Sequence, residues 1–364
     1  MKRFSGLYEQ IYDFENIHSA YLEARKNKRY RDEVLRFTAN LEENLIQIQN
    51  ELIWKTYRSG RYREFYVHEP KKRLIMALPF KDRVVQWAIY RVLNPLLEQR
   101  YITDSYACRN GYGAQRAVRH LQYWLRKEGR AHEKTYVLKL DISKYFYRVD
   151  HLVLMQILRR MISDDDLLVL LETIIRCEHT KFGVQLGDHQ YEQERMQGLG
   201  MPIGNLTSQM FANLYLNELD HFVKEDLHVR RYMRYMDDSL ILYHDKSYLW
   251  QLKSEIDSFL TDYLHLTLNN KTTVRNVNQG IDWLGYRVWS THIKLRKASA
   301  RKMRKRLRYL RRAYGRQEVT ITDVNNSVQS YLGLLKHCDS YRLRKKMAED
   351  LKPILRVPVE VPFS

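Results

Sequence analysis

Apolar positions in this chain follow two periods, and segments of one kind alternate with segments of the other. Between Tyr8 and Trp54 they recur at steps of three and four, as at Leu41, Leu45, Ile48 and Leu52, which predicts helices with one buried face. In "YREFYVHEPKKRLIMALPF" the step is two, predicting a hairpin that turns at Glu69 and Pro70 and closes at Pro79. The helical pattern through "KDRVVQWAIYRVLNPLLEQR" is expected to break near Pro95. A glycine-containing loop at Asn110 to Gly113 precedes a basic amphipathic helix ending at Gly129. "KTYVLKLDI" is strand-like, and Asp150 is placed to cap the helix "HLVLMQILRRM". A loop or hairpin then leads to one long helix, "LTSQMFANLYLNELDHFVKEDL". Two short strands flank "RYMRYMDDSLILY", and a helix and a further strand, "IDWLGYRVW", follow. Strands interleaved with helices, with helices dominating the end, give an α+β fold class.

Composition narrows the range of functions. With 364 residues, 44% of them hydrophobic, the chain can form a sizeable core and two or three domains. No apolar run approaches the roughly 20 residues of a membrane span. The N-terminus has no apolar signal-peptide core, so a cytoplasmic location and no membrane partner are expected. Cys108, Cys177 and Cys338 form no CxxC pair and are expected to be reduced, and no HExxH zinc motif is present. Sixty-two Lys and Arg against 43 Asp and Glu leave +19, a balance suited to nucleic acid. The excess concentrates in Lys294 to Arg316, which has twelve Lys or Arg and no acid. Met303, Leu307, Leu310 and Tyr314 draw one apolar stripe along that helix, leaving Arg301, Arg304, Lys305 and Arg308 for a phosphate backbone.

Two acidic clusters need opposite readings. Asp164, Asp165 and Asp166 follow Ser163 and precede an apolar helical run, the usual place for acids at a helix N-terminus. Asp237 and Asp238 instead sit between two strand-like runs, in a turn lacking the Gly or Asn that turns favour. Asp141 ends a further apolar strand. If these strands are neighbours, three carboxylates meet at one sheet edge, a set of hard oxygen donors suited to two Mg²⁺ ions.

"YMDD" at Tyr235 to Asp238 and "LKLDISKYFYRVDH" resemble the catalytic hairpin and first palm motif of reverse transcriptases. The resemblance covers nearly the whole chain in the expected order. It implies a right-hand polymerase with fingers, a palm built on an antiparallel sheet, and a helical thumb. The corresponding boundaries are an N-terminal helical segment at 1–55, fingers at 56–135, palm at 136–293 and basic thumb at 294–364. It further implies that Asp141, Asp237, Asp238 and the carbonyl of Ile142 bind metal, and that Phe146 excludes a ribose 2′-hydroxyl. Lys72 or Arg73, the latter preferred, would meet the triphosphate, and Lys271 would protonate pyrophosphate. Trp283, Leu284 and Gly285 resemble the hairpin gripping the primer end. The substrates would be dNTPs and a primer on template RNA, with an RNA–DNA duplex as product.

"MPIGNLTSQMF" departs from the common palm motif. Ile203 stands before Gly204 where most members have Gln, and Gln209 follows Ser208 where most have Pro. This form resembles reverse transcriptases of diversity-generating retroelements, as do "EPKKRLIMALPFKDR", "DSYACR" and "LGYRVWSTHIKLRKAS". That group copies RNA with frequent errors opposite adenine, for mutagenic retrohoming, together with a basic, barrel-shaped oligomeric accessory protein. Retron, group II intron and phage-defence enzymes are the alternatives within the fold, and a catalytically silent RNA-binding scaffold is the alternative outside catalysis.

Overall fold

The structure is a computed structural model that describes residues 3–68, 73–184, 195–352 and 354. Helices α1 (Tyr8–Tyr12), α2 (Phe14–Ala24), α3 (Asp32–Ala39) and α4 (Leu41–Ile53) open the chain. Strands β1 (Arg63–Val67) and β2 (Arg73–Ala77) pair antiparallel, with the expected turn at Glu69 and Pro70 lying outside the described residues. Next come α5 (Phe80–Glu98), α6 (Ala114–Ala131), β3 (Tyr136–Asp141), the single turn α7 (Tyr145–Arg148), α8 (His151–Met161) and α9 (Asp165–Arg176). Two-residue strands β4 (Gly183–Val184) and β5 (Arg195–Met196) precede α10 (Leu206–Tyr215) and α11 (Asn217–His221). The chain continues as β6 (Tyr232–Tyr235), β7 (Asp238–Tyr243), α12 (Lys246–Leu264), β8 (Thr273–Asn276), β9 (Ile281–Trp283), β10 (Tyr286–Val288) and β11 (Ile293–Leu295). It closes with α13 (Lys297–Gly315), α14 (Ile321–Leu335) and α15 (Tyr341–Leu351). Among the described residues no helix is long and apolar enough to cross a membrane.

Interleaved stretches make two compact units. The first comprises Met1–Arg109, Leu140–Ser239 and Gln251–Thr272, and the second Asn110–Lys139, Leu240–Trp250 and Thr273–Ser364. In the first, α2 lies along α5, and Ile17, Ala20 and Tyr21 are buried with Val84, Val85, Ala88 and Ile89. Rings lock the pair: Phe37 meets Phe80 edge-on at 5.1 Å, and Tyr21 stacks on Phe37 at 5.9 Å. Each such large side chain contributes roughly 1.5–3 kcal/mol on burial.

Local rules explain most of the elements. Asp150 caps α8 by accepting from the Leu152 and Val153 amides at 2.8 and 3.3 Å. Asp164 caps α9 through the Leu167 amide, and its other oxygen accepts from the Leu7 and Tyr8 amides, tying down the N-terminal segment. The Asp164–Asp166 run is thus structural, as expected. Three expectations need correction. Helix α5 runs unbroken through Pro95, because buried Leu93 and Leu97 hold both sides of the proline to the core. Helix α6 continues past Gly129 to Ala131, and the glycine costs only about 1 kcal/mol against alanine there. The single long helix after Asn205 is divided into α10, α11 and a π-helical turn at Phe222–Asp226, with Asn213, Asn217 and Asp220 buried along it.

A four-stranded sheet has the order β6, β7, β3, β8. Strand β3 pairs antiparallel with β8, from Tyr136 opposite Asn276 to Lys139 opposite Thr273. Leu240, Ile241 and Leu242 of β7 are all buried, so this strand reads as a continuous apolar run and not as an alternation. In the second unit, β9, β10 and β11 form a small antiparallel sheet, and α13 buries Ala300, Met303, Leu307, Leu310 and Ala313. The stripe ends on Ala313, while Tyr314, expected to complete it, is exposed.

A buried carboxylate fixes the approach to β1. Asp82, at the start of α5, accepts from the Tyr57 hydroxyl at 2.7 Å and the Gly60 amide at 3.2 Å, and burial pushes its pKa up. Tyr57→Phe leaves that buried oxygen one donor short and is expected to lower stability by about 1–3 kcal/mol in urea unfolding at neutral pH.

Candidate active site

Three acids share one edge of the first unit. Asp141 ends β3, Asp238 begins β7, and Asp237 sits in the turn before it. The Asp237 carboxyl is pushed up to about 6, chiefly by burial, then by the negative charges of Asp238 and Asp141, while Arg73 pulls it back. Strands β7 and β3 are neighbours, and the charges of Asp238, Asp141 and Arg73 of β2 all act on Asp237. Among the described residues no group of three or more His, Cys, Asp or Glu is closed tightly enough to hold a metal by itself. The carboxylate oxygens of Asp141, Asp237 and Asp238 are hard donors that would suit a divalent cation such as Mg²⁺.

The backbone beside Asp141 is pinned on its other side. The Asn269 amide donates to the Asp141 carbonyl at 2.7 Å, the Ser143 amide to the Thr267 carbonyl at 2.9 Å, and buried Ile142 bridges Leu268. This ladder brings the Asn269–Lys271 turn to the acids' strand. Asn269 accepts from the Lys271 amide at 3.1 Å through its side chain and from the Thr272 amide at 2.9 Å through its carbonyl. The Lys271 side chain is exposed.

Holding the aspartate turn falls to a residue that sequence reasoning missed. Met236 takes φ of 54°, a left-handed conformation that costs a non-glycine residue about 1–3 kcal/mol unless its surroundings hold it. Its carbonyl accepts from Arg234 Nη1 at 3.2 Å. The Arg234 guanidinium is wholly buried and forks onto Asp220, with Nε to Oδ1 at 2.7 Å and Nη2 to Oδ2 at 2.6 Å. It also donates to Asn213 Oδ1 and Ser105 Oγ, and Tyr232 donates its hydroxyl to Asp220. Burial works against the charge of Arg234, and Asp220 more than offsets it, leaving the arginine's pKa raised. The Arg234 backbone also bonds to the Asp104 carbonyl and the Tyr106 amide, so "DSYACR" lies alongside β6. The signal available in the sequence was an arginine at an inward position of an apolar strand, with no hint of which acid would meet it.

The remaining predicted residues separate into those near the acids and those elsewhere. Arg73, exposed at the start of β2, belongs to the acid field, whereas Lys72 lies outside the described residues. Phe146, half-buried on α7, packs edge-on against Tyr145, and its carbonyl accepts from the Met201 amide at 2.6 Å. The Ile203 carbonyl accepts from the Met76 amide of β2 at 3.0 Å. Gly204 has φ of 128°, and a Cβ there would come within 3.0 Å of the Met76 carbonyl oxygen, so glycine is required on both counts. Exposed Gln209 accepts a weak bond from the Cys108 thiol at 3.5 Å. In the second unit, Trp283 is buried, while Leu284 and Gly285 form a turn with φ of 47° and 86°. The Gly285 carbonyl accepts from the Arg296 amide at 2.9 Å, joining that turn to the start of α13. Arg301, Lys305 and Arg308 are exposed on α13, and half-buried Arg304 turns its Nε back to the Ala300 carbonyl.

Comparison with known proteins places the chain among described families. The family model for "Reverse transcriptase (RNA-dependent DNA polymerase)" matches residues 67–288. Protein YkfC of Escherichia coli (strain K12) is 28% identical over 285 residues, covering 69% of this chain and 72% of YkfC. Group II intron-encoded protein LtrA of Lactococcus lactis subsp. cremoris is 26% identical over 226 residues, which is 60% of this chain and 35% of LtrA. Among solved structures, telomerase from Candida albicans in complex with a fragment of telomeric RNA covers 82% of this chain and 55% of that one, at 14% identity and a TM-score of 0.47.

Because the Arg234–Asp220 pair is dry, losing one partner should cost more than losing both. Arg234→Met is expected to lower stability by about 3–5 kcal/mol, and Asp220→Leu/Arg234→Met to recover most of that loss, in chemical unfolding of the single and double variants.

Proposed function

The chain belongs to the reverse transcriptase family, and within it we propose an error-prone RNA-directed DNA polymerase that makes adenine-mutagenised cDNA for diversity-generating retrohoming. The observation carrying the catalytic part is the coupling of Asp237 to both Asp238 and Asp141, with Arg73 facing them. Asp141, Asp237, Asp238 and the Ile142 carbonyl would hold two Mg²⁺ ions. A bound pair of this kind neutralises charge on the attacking and departing oxygens of an in-line displacement. The 3′-hydroxyl of the primer attacks the α-phosphorus of a dNTP and pyrophosphate leaves. Arg73 meets the triphosphate with a planar fork, together with Lys72. Phe146 closes the space a 2′-hydroxyl would need, and Lys271 supplies the proton to pyrophosphate as a general acid. Trp283, Leu284 and Gly285 hold the primer end. Arg301, Arg304, Lys305 and Arg308 on α13 track the RNA–DNA duplex through its phosphates without reading sequence. In this reading residues 56–135 are fingers, 136–293 palm and 294–364 thumb, behind an N-terminal helical segment.

The retroelement assignment is supported by the Ile203–Gly204 and Ser208–Gln209 pairs. An isoleucine beside the incoming base offers shape but no directional hydrogen bond, so mispaired geometries are rejected less sharply than with glutamine. The partners in this setting are a structured template RNA and an oligomeric accessory variability determinant. Similarity to LtrA favours a second reading, an enzyme of group II intron type.

Primer extension on an RNA template with Mg²⁺ is expected for the wild type and is expected to fall by about 10²–10³-fold in Asp237→Asn, as for removal of a group central to transition-state stabilisation. An equally active variant removes the acids from catalysis. Sequencing of cDNA from the wild type and Ile203→Gln should show substitutions concentrated at template adenines in the former and reduced in the latter. Uniform errors in the wild type would select the intron-type reading.

A further inference from the structure

We propose that an arginine-lined cavity at the end of β2 remote from Arg73 binds the sugar–phosphate backbone of single-stranded template RNA. This rests on the polymerase reading above and adds to it a template contact outside the acid site.

The cavity has a volume of about 530 Å³, and Arg31, Arg36, Arg61, Arg63 and Arg83 line it above Leu78 and Pro79. Two acids share the lining, Asp32 and Glu33, and Glu33 is engaged by Arg83 at 2.5 Å. The positive excess comes from three separate stretches of chain that meet around one hollow. A solvated helix face would draw its charges from one element, spread toward water. Lys28 feels the same field: burial lowers its pKa, and the charges of Arg83 and Arg31 lower it further. Folding gathers these cations without supplying enough counter-charge, so an anion from outside is the natural complement.

Geometry selects which anion. Strand β2 runs from Arg73, beside the acids, to Ala77 at the cavity wall. Its rise of about 3.3 Å per residue separates the two by roughly 13 Å. That distance corresponds to about four nucleotides of a stacked strand at ~3.4 Å each. The Met76–Ile203 bond fixes the strand between them. A template base paired at the acid site would therefore place the phosphates of its unpaired neighbours within reach. Among the described residues no aromatic side chain lines the cavity to stack a base, so a free nucleotide has little to grip, whereas guanidinium forks match phosphate oxygens in any sequence.

The test uses the full chain and Arg36→Gln/Arg61→Gln, which leaves the Arg83–Glu33 pair intact. Unfolding curves check that both proteins fold alike, and Arg61→Gln alone replaces the double variant if it melts early. Binding is measured to RNA–DNA primer–templates carrying either a single unpaired template nucleotide or roughly ten. The expected result is about tenfold weaker binding of the long overhang, with the short one nearly unchanged. The slope of log Kd against log salt should also be shallower by about 1.4 for the long overhang, as for two lost single-strand phosphate contacts. Equal weakening of both substrates, or no weakening of either, overturns the cavity's role. Primer extension with dNTPs and Mg²⁺ is run on the same two substrates, and a wild type that extends neither refutes the polymerase reading instead, so the two failures are distinguishable.

Discussion

Arg234 and Asp220 form an ion pair with neither side chain exposed to solvent, and the acid-bearing turn is anchored to it. Taking two charges out of water is costly, and a pair of this kind persists because every donor finds an oxygen. Here the guanidinium is used on all sides: two bonds to Asp220, others to Asn213 and Ser105, and one to the Met236 carbonyl. That last bond reaches a residue in left-handed backbone, one position before Asp237. Strain at the turn is thus balanced by a network deep in the first unit, and the aspartates project from a rigid base.

Rigidity matters because the acids themselves are mutually repulsive. Burial and two neighbouring charges raise the proton affinity of Asp237, with Arg73 as a partial counterweight. A floppy turn would relieve that repulsion by moving the carboxylates apart. One clamped by Arg234 on one side, with Asp141 stitched to Asn269 on the other, keeps them together despite that repulsion.

The sequence displayed the acids and their strands well, because short apolar runs ending in Asp141 and flanking Asp237–Asp238 are a local signal. Caps at Asp150 and Asp164 were equally local. What stayed hidden depends on distant partners. Arg234 reads as one more cation in a basic chain until Asp220, on a separate helix, is brought to it. Pro95 was expected to break α5, because nothing nearby reveals that Leu93 and Leu97 are both buried. The apolar stripe of α13 was assigned Tyr314, whereas the smaller Ala313 fits the packed face. The arginine cavity draws on residues about fifty positions apart and has no sequence signature at all.

Gly204 has a consequence for how this molecule responds to change. A Cβ there would stand 3.0 Å from the Met76 carbonyl oxygen, and the preceding carbonyl, that of Ile203, is bonded to the Met76 amide. The loop bearing Ile203 and the strand bearing Arg73 are consequently one mechanical piece. A substitution that shifts the backbone at 203 or 204 therefore also shifts the strand that carries Arg73, and neither segment can change its position independently of the other.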